Sequence, residues 1–153
     1  MKSPARLLLA ALLALLSAAP ALAQAPDPTI VNDAAALARL QRNSGVTLQW
    51  ISFESPARGH VRLTNVGGYY RLRGEQASRR GPGRLTIDGV VTEIGSRSFR
   101  FRGRIVIAGA PDPGRECVRD GAFDFLVTGR RRYWRLQQME VCDGLTDYVD
   151  IYF

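Results

Sequence analysis

The residue types that most often carry chemistry are scarce in this chain, which has one histidine, two cysteines and three closely spaced aspartates near its end. His60 begins a strand-like segment, and no spacing ties it to a nucleophile, so we expect no general-base role. Asp143, Asp147 and Asp150 offer oxygen ligands, but they lack the loop of alternating oxygens that is typical of calcium sites. The sequence therefore predicts no enzyme activity, no metal site and no cofactor.

Arginine dominates the charge of the chain. Lysine and arginine together number 21 against 14 acidic residues, which gives a net charge of +7. Without the first 23 residues, 19 cations remain, all of them arginine, and the net charge is +5. A compositional bias of the source accounts for arginine that is spread along most of the chain. The planar guanidinium also suits carboxylates and phosphates, so recognition of an anionic partner is the second interpretation.

One segment places several of these arginines on a single face. Between residues 98 and 108, apolar residues alternate with Arg100, Arg102 and Arg104, which is the period of a β-strand with one apolar and one basic face. Arg71 and Arg73 follow the same pattern two strands earlier. The expected partner-binding surface consists of Arg71, Arg73, Arg97, Arg100, Arg102 and Arg104. Its partner is expected to be a protein or an anionic component of the cell envelope, and nucleic acid is not expected outside the cytoplasm.

Cys117 and Cys142 lie at equal distances from Gly129 and Arg130, a pair that suits a two-residue type II′ turn. That register sets the cysteines opposite each other as a non-hydrogen-bonded pair, with Cα atoms about 4.5 Å apart, and so predicts a disulfide that closes the hairpin. The other pairs it predicts are Phe123 with Leu136, Phe125 with Trp134, Asp124 with Arg135 and Arg119 with Glu140.

A second hairpin is expected around Gly95, Ser96 and Arg97 as a three-residue loop. It pairs Leu85 with Ile107, Ile87 with Ile105, Val91 with Phe101 and Asp88 with Arg104. It also makes Gly89 and Gly103 neighbours on the apolar face, where glycines let strongly bent strands turn the corner of a barrel.

These hairpins belong to an expected all-β fold, a small antiparallel up-and-down barrel of about eight strands whose last strand pairs with the first. One short helix over residues 32–42, capped by Asn32 or Asp33, precedes the barrel and covers one mouth. The predicted strands are 46–53, 60–66, 69–77, 84–93, 98–108, 117–128, 131–142 and 147–153. Their inward-facing residues are large enough to fill the interior.

The ends of the chain suggest export. Residues 1–23 have the cations, apolar run and small-residue site of a signal peptide that is removed before Gln24. Residues 24–45 form the lead and short helix, and residues 46–153 form a single barrel domain. Export to the periplasm or the extracellular space also permits the disulfide.

Two alternative functions stay open. Gly45 and Trp50 resemble the glycine and tryptophan that open the first strand of lipocalins, with a wider spacing, and that resemblance implies a barrel that binds a small hydrophobic ligand. The alternating residues 148–153 with an aromatic end resemble the last strand of a small outer-membrane barrel. Against membrane insertion, the other face would put arginines without matching acids inside a narrow lumen. The leading expectation is a soluble, exported barrel that binds a partner through its arginine-rich face or its loops.

Overall fold

The computed structural model describes residues 24–153, and the expected signal peptide at residues 1–23 lies outside the described residues. Its helices are α1 (Ala34–Gln41) and α2 (Gln49–Ser52). Its strands are β1 (Ile30–Val31), β2 (Val46–Leu48), β3 (His60–Val66), β4 (Tyr69–Ala77), β5 (Arg84–Ile94), β6 (Ser98–Ala108), β7 (Glu116–Leu126), β8 (Tyr133–Leu136) and β9 (Val149–Tyr152). In this range no helix is long and apolar enough to cross a membrane.

Eight strands form a nearly closed antiparallel barrel. The order of neighbours is β2-β9-β8-β7-β6-β5-β4-β3, while β1 pairs in parallel with β5 outside that path. The predicted fold class is confirmed, including the pairing of the last strand with the first: β9 lies beside β2, with Val46 opposite Ile151. The predicted limits of β3, β4 and β6 are also confirmed.

Two backbone hydrogen bonds join β2 to Gly59, the residue before β3, and so connect the two ends of the nearly closed sheet. The amide of Gly59 donates to the Val46 carbonyl at 2.8 Å, and the Val46 amide donates back at 3.3 Å. Beside this bridge the buried Gln76 side chain accepts from the amide of Leu48 at 2.6 Å. A Cβ on Gly59 would lie 2.0 Å from the carbonyl oxygen of Glu75, so only glycine fits where the strands converge.

Aromatic side chains fill the interior. Phe99 stacks on Phe125 with ring centroids 4.7 Å apart, and Trp134 meets Phe99 edge-on at 5.8 Å. Gly89 and Gly103 are cross-strand neighbours as predicted, and a Cβ on Gly103 would lie 2.5 Å from the Gly89 Cα. The missing side chains let β5 and β6 bend closely together beneath the Phe101 ring.

Helix α1 begins at a predicted cap, because the Asp33 carboxylate accepts from the Ala36 amide at 2.7 Å. Ala36 and Leu40 are buried against the barrel. Arg39 donates to the Ser96 carbonyl at 2.6 Å and so ties the helix to the hairpin between β5 and β6.

That hairpin has all four of its predicted pairs, among them Val91 with Phe101 and Asp88 with Arg104. A register shift between Val91 and Glu93 then places Glu93 opposite Arg100. The shift is a local irregularity next to the turn, so it leaves the faces of the rest of the hairpin unchanged.

The predicted register of the cysteine hairpin is wrong by two residues. The turn forms, with Gly129 at φ 59° and the Arg131 amide donating to the Thr128 carbonyl at 3.3 Å. The connection that joins the paired residues of the two strands is two residues longer than predicted, so Phe125 pairs with Leu136. Because the shift is an even number, each side chain keeps its face and the core positions survive. The predicted pairs that fail are Phe123 with Leu136, Phe125 with Trp134, Asp124 with Arg135 and Arg119 with Glu140.

The disulfide nevertheless joins Cys117 to Cys142, with Cα atoms 5.8 Å apart. Cys142 lies in the loop beyond β8, since the predicted strand 131–142 shortens to Tyr133–Leu136. The Gln138 side chain accepts from the Asp124 amide at 3.0 Å and replaces a ladder bond, which lets the chain leave the sheet. The bond therefore connects a strand to a loop and is not a cross-strand pair.

The predicted strand 46–53 also ends early. After Leu48 the chain turns into α2, where the Trp50 indole donates to Asp147 at 2.8 Å. Trp50 is therefore not a first-strand residue as the resemblance to lipocalins implied. A buried polar contact that is distant in sequence overrides the local strand pattern here.

Candidate functional site

The outer wall of β3 to β7 is where the structure places most of the predicted partner-binding arginines. Their strand neighbours Leu72 and Phe101 are buried, so Arg71, Arg73 and Arg102 point outward. Cross-strand pairing arranges the outward residues in rows. One row is Arg62, Arg73, Asp88, Arg104 and Asp120, and the next is Thr64, Arg71, Val90, Arg102 and Ala122.

Two of the six predicted arginines pair with acids on neighbouring strands, and one of them, Arg100, also lies 3.7 Å from Glu93. Arg100 donates to Asp124 at 3.1 Å, and Arg104 lies 3.6 Å from Asp120. All four side chains are largely exposed, so each pair adds little to stability and lowers the local positive charge. These two arginines contribute less to an anion site than their number suggests.

Arg97 lies apart from the rows. It sits in the hairpin between β5 and β6, and its guanidinium donates to the carbonyls of Val127 and Gly129 at 3.1 Å and 2.7 Å. These bonds hold the turn after β7 against the neighbouring hairpin. The structure thus gives Arg97 a positioning contact within the fold and does not bring it to the other five.

Positive charge accumulates at the β3–β4 side of the wall. Asp88 receives two hydrogen bonds of 3.0 Å from Arg71 and one of 3.4 Å from Arg73. Arg62 lies directly across from Arg73, and Arg102 lies beyond Val90 from Arg71. Neither Arg62 nor Arg102 has an ion pair within residues 24–153.

We call Arg62, Arg71, Arg73 and Arg102 the basic wall. A groove of about 320 Å³ runs between its β3 and β4 members, lined by Arg62, Thr64, Val66, Arg71 and Arg73. Arg62 was absent from the predicted surface although its signal was present, because it alternates with the apolar Val61 and Leu63 inside a correctly predicted strand. Within residues 24–153, the four cations of the basic wall have one carboxylate partner among them, that of Asp88, and the nearby Glu75 pairs with Arg84 at 2.9 Å.

A second arginine cluster is buried at the disulfide end of the barrel. The Asp147 side chain, 0% exposed, accepts two hydrogen bonds of 3.0 Å from Arg115, one from Arg119 and one from Trp50. Arg119 also donates to the Gln138 carbonyl at 2.9 Å. Asp147 was considered in the sequence only as a metal ligand. Its role here followed from no sequence pattern, since its partners lie on two segments that are distant from it in sequence, α2 and residues 115–119 around the start of β7.

The environment of this cluster acts oppositely on its two arginines. The hydrogen bond to Asp147 raises the pKa of Arg115, which Asp143 also contacts at 3.1 Å. Burial lowers the pKa of Arg119, against the attraction of Asp147. Both guanidiniums stay charged at neutral pH, because the ordinary arginine value is far above it. With every acceptor of Asp147 occupied, this cluster holds the fold together and offers nothing to a ligand.

The remaining candidates stay separate from these clusters. His60 is exposed at the start of β3, opposite Glu75. Asp143 and Asp147 both bind Arg115, and Asp150 binds Arg135. Within the described range, no group of histidine, cysteine and acidic residues is placed to hold a metal ion.

This chain matches a known protein family over nearly all of the described residues. The model of the PM1083 family matches residues 28–153. The chain belongs to the PM1083 family. The match starts just before β1 and runs to the last residue, so it takes in the whole barrel, both cysteines and the basic wall.

One relative in the PM1083 comparison is the uncharacterized protein PM1083 of Pasteurella multocida (strain Pm70). It is 35% identical to this chain over 108 residues, which cover 69% of this chain and 68% of that protein. No solved structure matches the chain.

Proposed function

We propose that this PM1083-family chain is an exported binding protein that contacts an anionic component of the cell envelope through its basic wall. The observation that carries the proposal is the charge imbalance there: four arginines on β3, β4 and β6 surround one aspartate, Asp88, on the intervening strand β5. The sheet holds the backbone positions of these arginines at fixed spacing, so binding an anion requires ordering of side chains but not of the backbone. The proposed role is binding without catalysis.

The packed interior supports a surface site over an internal one. The rings of Phe99, Phe101, Phe125 and Trp134 are almost fully buried and contact one another in the barrel interior. A lipocalin-like carrier needs an internal cavity of a few hundred Å³ in this position. The small-ligand alternative would require these rings to move apart.

The distribution of polarity supports a barrel that faces water. Outward rows of β3 to β7 hold arginines and aspartates, and the inward positions hold the apolar side chains. An outer-membrane barrel has the inverse arrangement, with an apolar belt outside and a polar lumen. Export is part of the proposal, and the pattern of residues 1–23 and the disulfide support it.

A matched pair of double variants tests the site. Arg62→Gln with Arg102→Gln removes two unpaired charges from the basic wall. Arg100→Gln with Arg104→Gln removes two paired charges from the same outer face of the barrel. Binding is measured by cosedimentation with vesicles containing phosphatidylglycerol, and phosphatidylcholine vesicles serve as the uncharged comparison. At about 1 kcal/mol for each arginine near the surface, the first variant should bind about thirtyfold more weakly, and the second much less so.

Equal losses in the two variants would mean that only net charge matters and would refute a local site. Binding by the wild type that does not fall with added salt would also contradict it, since exposed charges are screened. Cell fractionation tests export: the chain should be recovered from the periplasm or the medium without detergent, with Gln24 at its amino terminus.

A further inference from the structure

A second cleft lies on the opposite side of the barrel, outside β8 and β9. It has a volume of about 300 Å³, and residues 49–58 roof it. Its wall is built by alternation in β9, where Val149 and Ile151 are buried, so Tyr148, Asp150 and Tyr152 face outward. The sequence therefore presents a ring, a carboxylate and a second ring in one line.

The carboxylate in this line is neutralised by its neighbour. Arg135, which is cross-strand to Asp150, donates two hydrogen bonds of 2.7 Å to it. Its guanidinium also lies 4.1 Å from the centre of the Tyr148 ring. Bidentate pairing and stacking fix the orientation of Arg135 and leave no net charge on the pair.

Arg58 supplies the unbalanced charge of the cleft. Its guanidinium lies over the Tyr152 ring, 3.8 Å from the ring centre, and donates to the Ser44 hydroxyl at 2.6 Å. It has no ion pair with any carboxylate in residues 24–153. One preoriented cation, with donors to spare, therefore borders the cleft.

The roof adds an apolar contact. Phe53 lines the cleft and is 76% exposed, although a ring of this size is normally covered. The opposite wall offers the hydroxyl of Thr47 and the ring of Tyr148. The cleft thus combines a cation that can donate hydrogen bonds to an anion, a hydroxyl group and aromatic rings. Its volume is at the low end of the range for ligand sites.

We infer that this cleft binds a single sugar ring that carries one carboxylate, the chemistry of a hexuronic acid. The carboxylate pairs with Arg58, whose planar fork matches its two oxygens. The apolar C–H face of the ring covers Phe53, and the hydroxyls meet Thr47 and the Arg135–Asp150 pair. A free monosaccharide and a unit of an acidic polysaccharide share this chemistry.

The test uses the chain from Gln24 onward and isothermal titration calorimetry with galacturonate, galactose and an oligogalacturonate. Galacturonate should bind at least tenfold more tightly than galactose, because only the acid engages Arg58. Tighter binding of the oligomer per ring assigns the site to a polysaccharide, and equal binding assigns it to the free sugar. No binding of galacturonate at millimolar concentration, or equal binding of galactose, overturns the inference.

Three variants locate the site. Arg58→Gln and Phe53→Ala should each weaken galacturonate binding at least tenfold, and the Phe53 side chain is largely exposed, with an edge-on contact to Trp50 at 6.0 Å. Arg62→Gln removes the same charge from the basic wall and should leave binding unchanged. The inference fails if Arg58→Gln and Phe53→Ala, both still folded by thermal melting, bind like the wild type, or if Arg62→Gln binds as weakly as they do.

Discussion

Asp147 and Asp88 each lie between two arginines, yet the two trios are different parts of the molecule. Asp147 is fully buried beside Arg115 and Arg119, while the Asp88 side chain is 49% exposed beside Arg71 and Arg73. In the buried trio every carboxylate acceptor is occupied and water is excluded. In the exposed trio the guanidiniums are free to exchange Asp88 for another anion. The same residue types therefore hold the fold together in one place and are available to a partner in the other.

The largest expected effect is the loss of the buried carboxylate. Asp147→Asn keeps the shape of the side chain but leaves the buried guanidinium of Arg119 without a counter-charge, while Arg115 keeps only its pair with Asp143. Breaking a buried ion pair on one side costs about 3 to 5 kcal/mol, and Asp88→Asn on the exposed trio should cost less than about 1 kcal/mol. Urea unfolding of the two variants measures the difference directly. Similar free energies of unfolding would break the comparison.

The disulfide should come next in size. Cys117→Ser with Cys142→Ser opens a link of sequence separation 25 that ties β7 to the loop preceding Asp147. The loss of that constraint on the unfolded chain is expected to cost about 3 to 4 kcal/mol. The β signal in circular dichroism should persist at low temperature.

A non-additive cost in the combined variant would sharpen this result. If the disulfide positions Asp147 against Arg119, adding Asp147→Asn to the cysteine double variant should cost less than it does in the wild type. Full additivity would mean that the bond and the buried trio act independently.

An intermediate effect is expected for Asp150→Asn. Its carboxylate is buried, but the partner Arg135 retains 18% of its side-chain exposure and can regain some water. Hydrogen bonds to charged groups contribute about 1.5 to 3 kcal/mol, so thermal melting should place this variant between Asp147→Asn and Asp88→Asn. The hydrogen bond to Asp150 raises the pKa of Arg135 in the wild type. Arg135 stays charged in the variant as well, because the ordinary pKa of arginine is far above neutral pH. A cost below that of Asp88→Asn would show that burial does not set the order.

The smallest loss of stability is expected for Asp88→Asn, and this variant should bind an anionic partner more tightly than the wild type. The substitution removes the one carboxylate of the basic wall and frees Arg71 and Arg73. One added unit of positive charge near a membrane surface is worth about 1 kcal/mol, so binding to phosphatidylglycerol vesicles should rise about fivefold. Asp120→Asn, at the far end of the same row, is the control and should raise it less.

Local patterns were sufficient for most of the barrel. Strict alternation predicted β3, β4 and β6 to the residue, because each has one face in the core and one in water. The hairpin from β5 to β6 was predicted because a slipped register would misplace Leu85 and Ile87. The cysteine hairpin failed by two residues because an even shift leaves every face unchanged, so hydrophobicity does not distinguish the two registers.

The candidate sites were also predictable only in part. The outward direction of Arg71, Arg73 and Arg102 followed from alternation, as that of Arg62 should have. Alternation did not predict which arginines are neutralised, since that depends on the residue on the neighbouring strand. Arg100 and Arg104 meet acids there, and Arg102 meets Val90 and Ala122.

The sequence alone determined the class of this protein: alternating strands, a filled interior, a pair of cysteines that bond, and an excess of arginine outside. These features depend on spacing within a segment or on composition, which the chain carries whatever its partners are. The tertiary structure decided which charged side chains form ion pairs and which stay unpaired. It brought Asp147 between Arg115 and Arg119, because folding of the barrel joins segments that are distant in the chain. It left Arg62 and Arg102 without ion pairs, because the register between neighbouring strands sets which side chains face each other, and no pattern within one strand encodes that register.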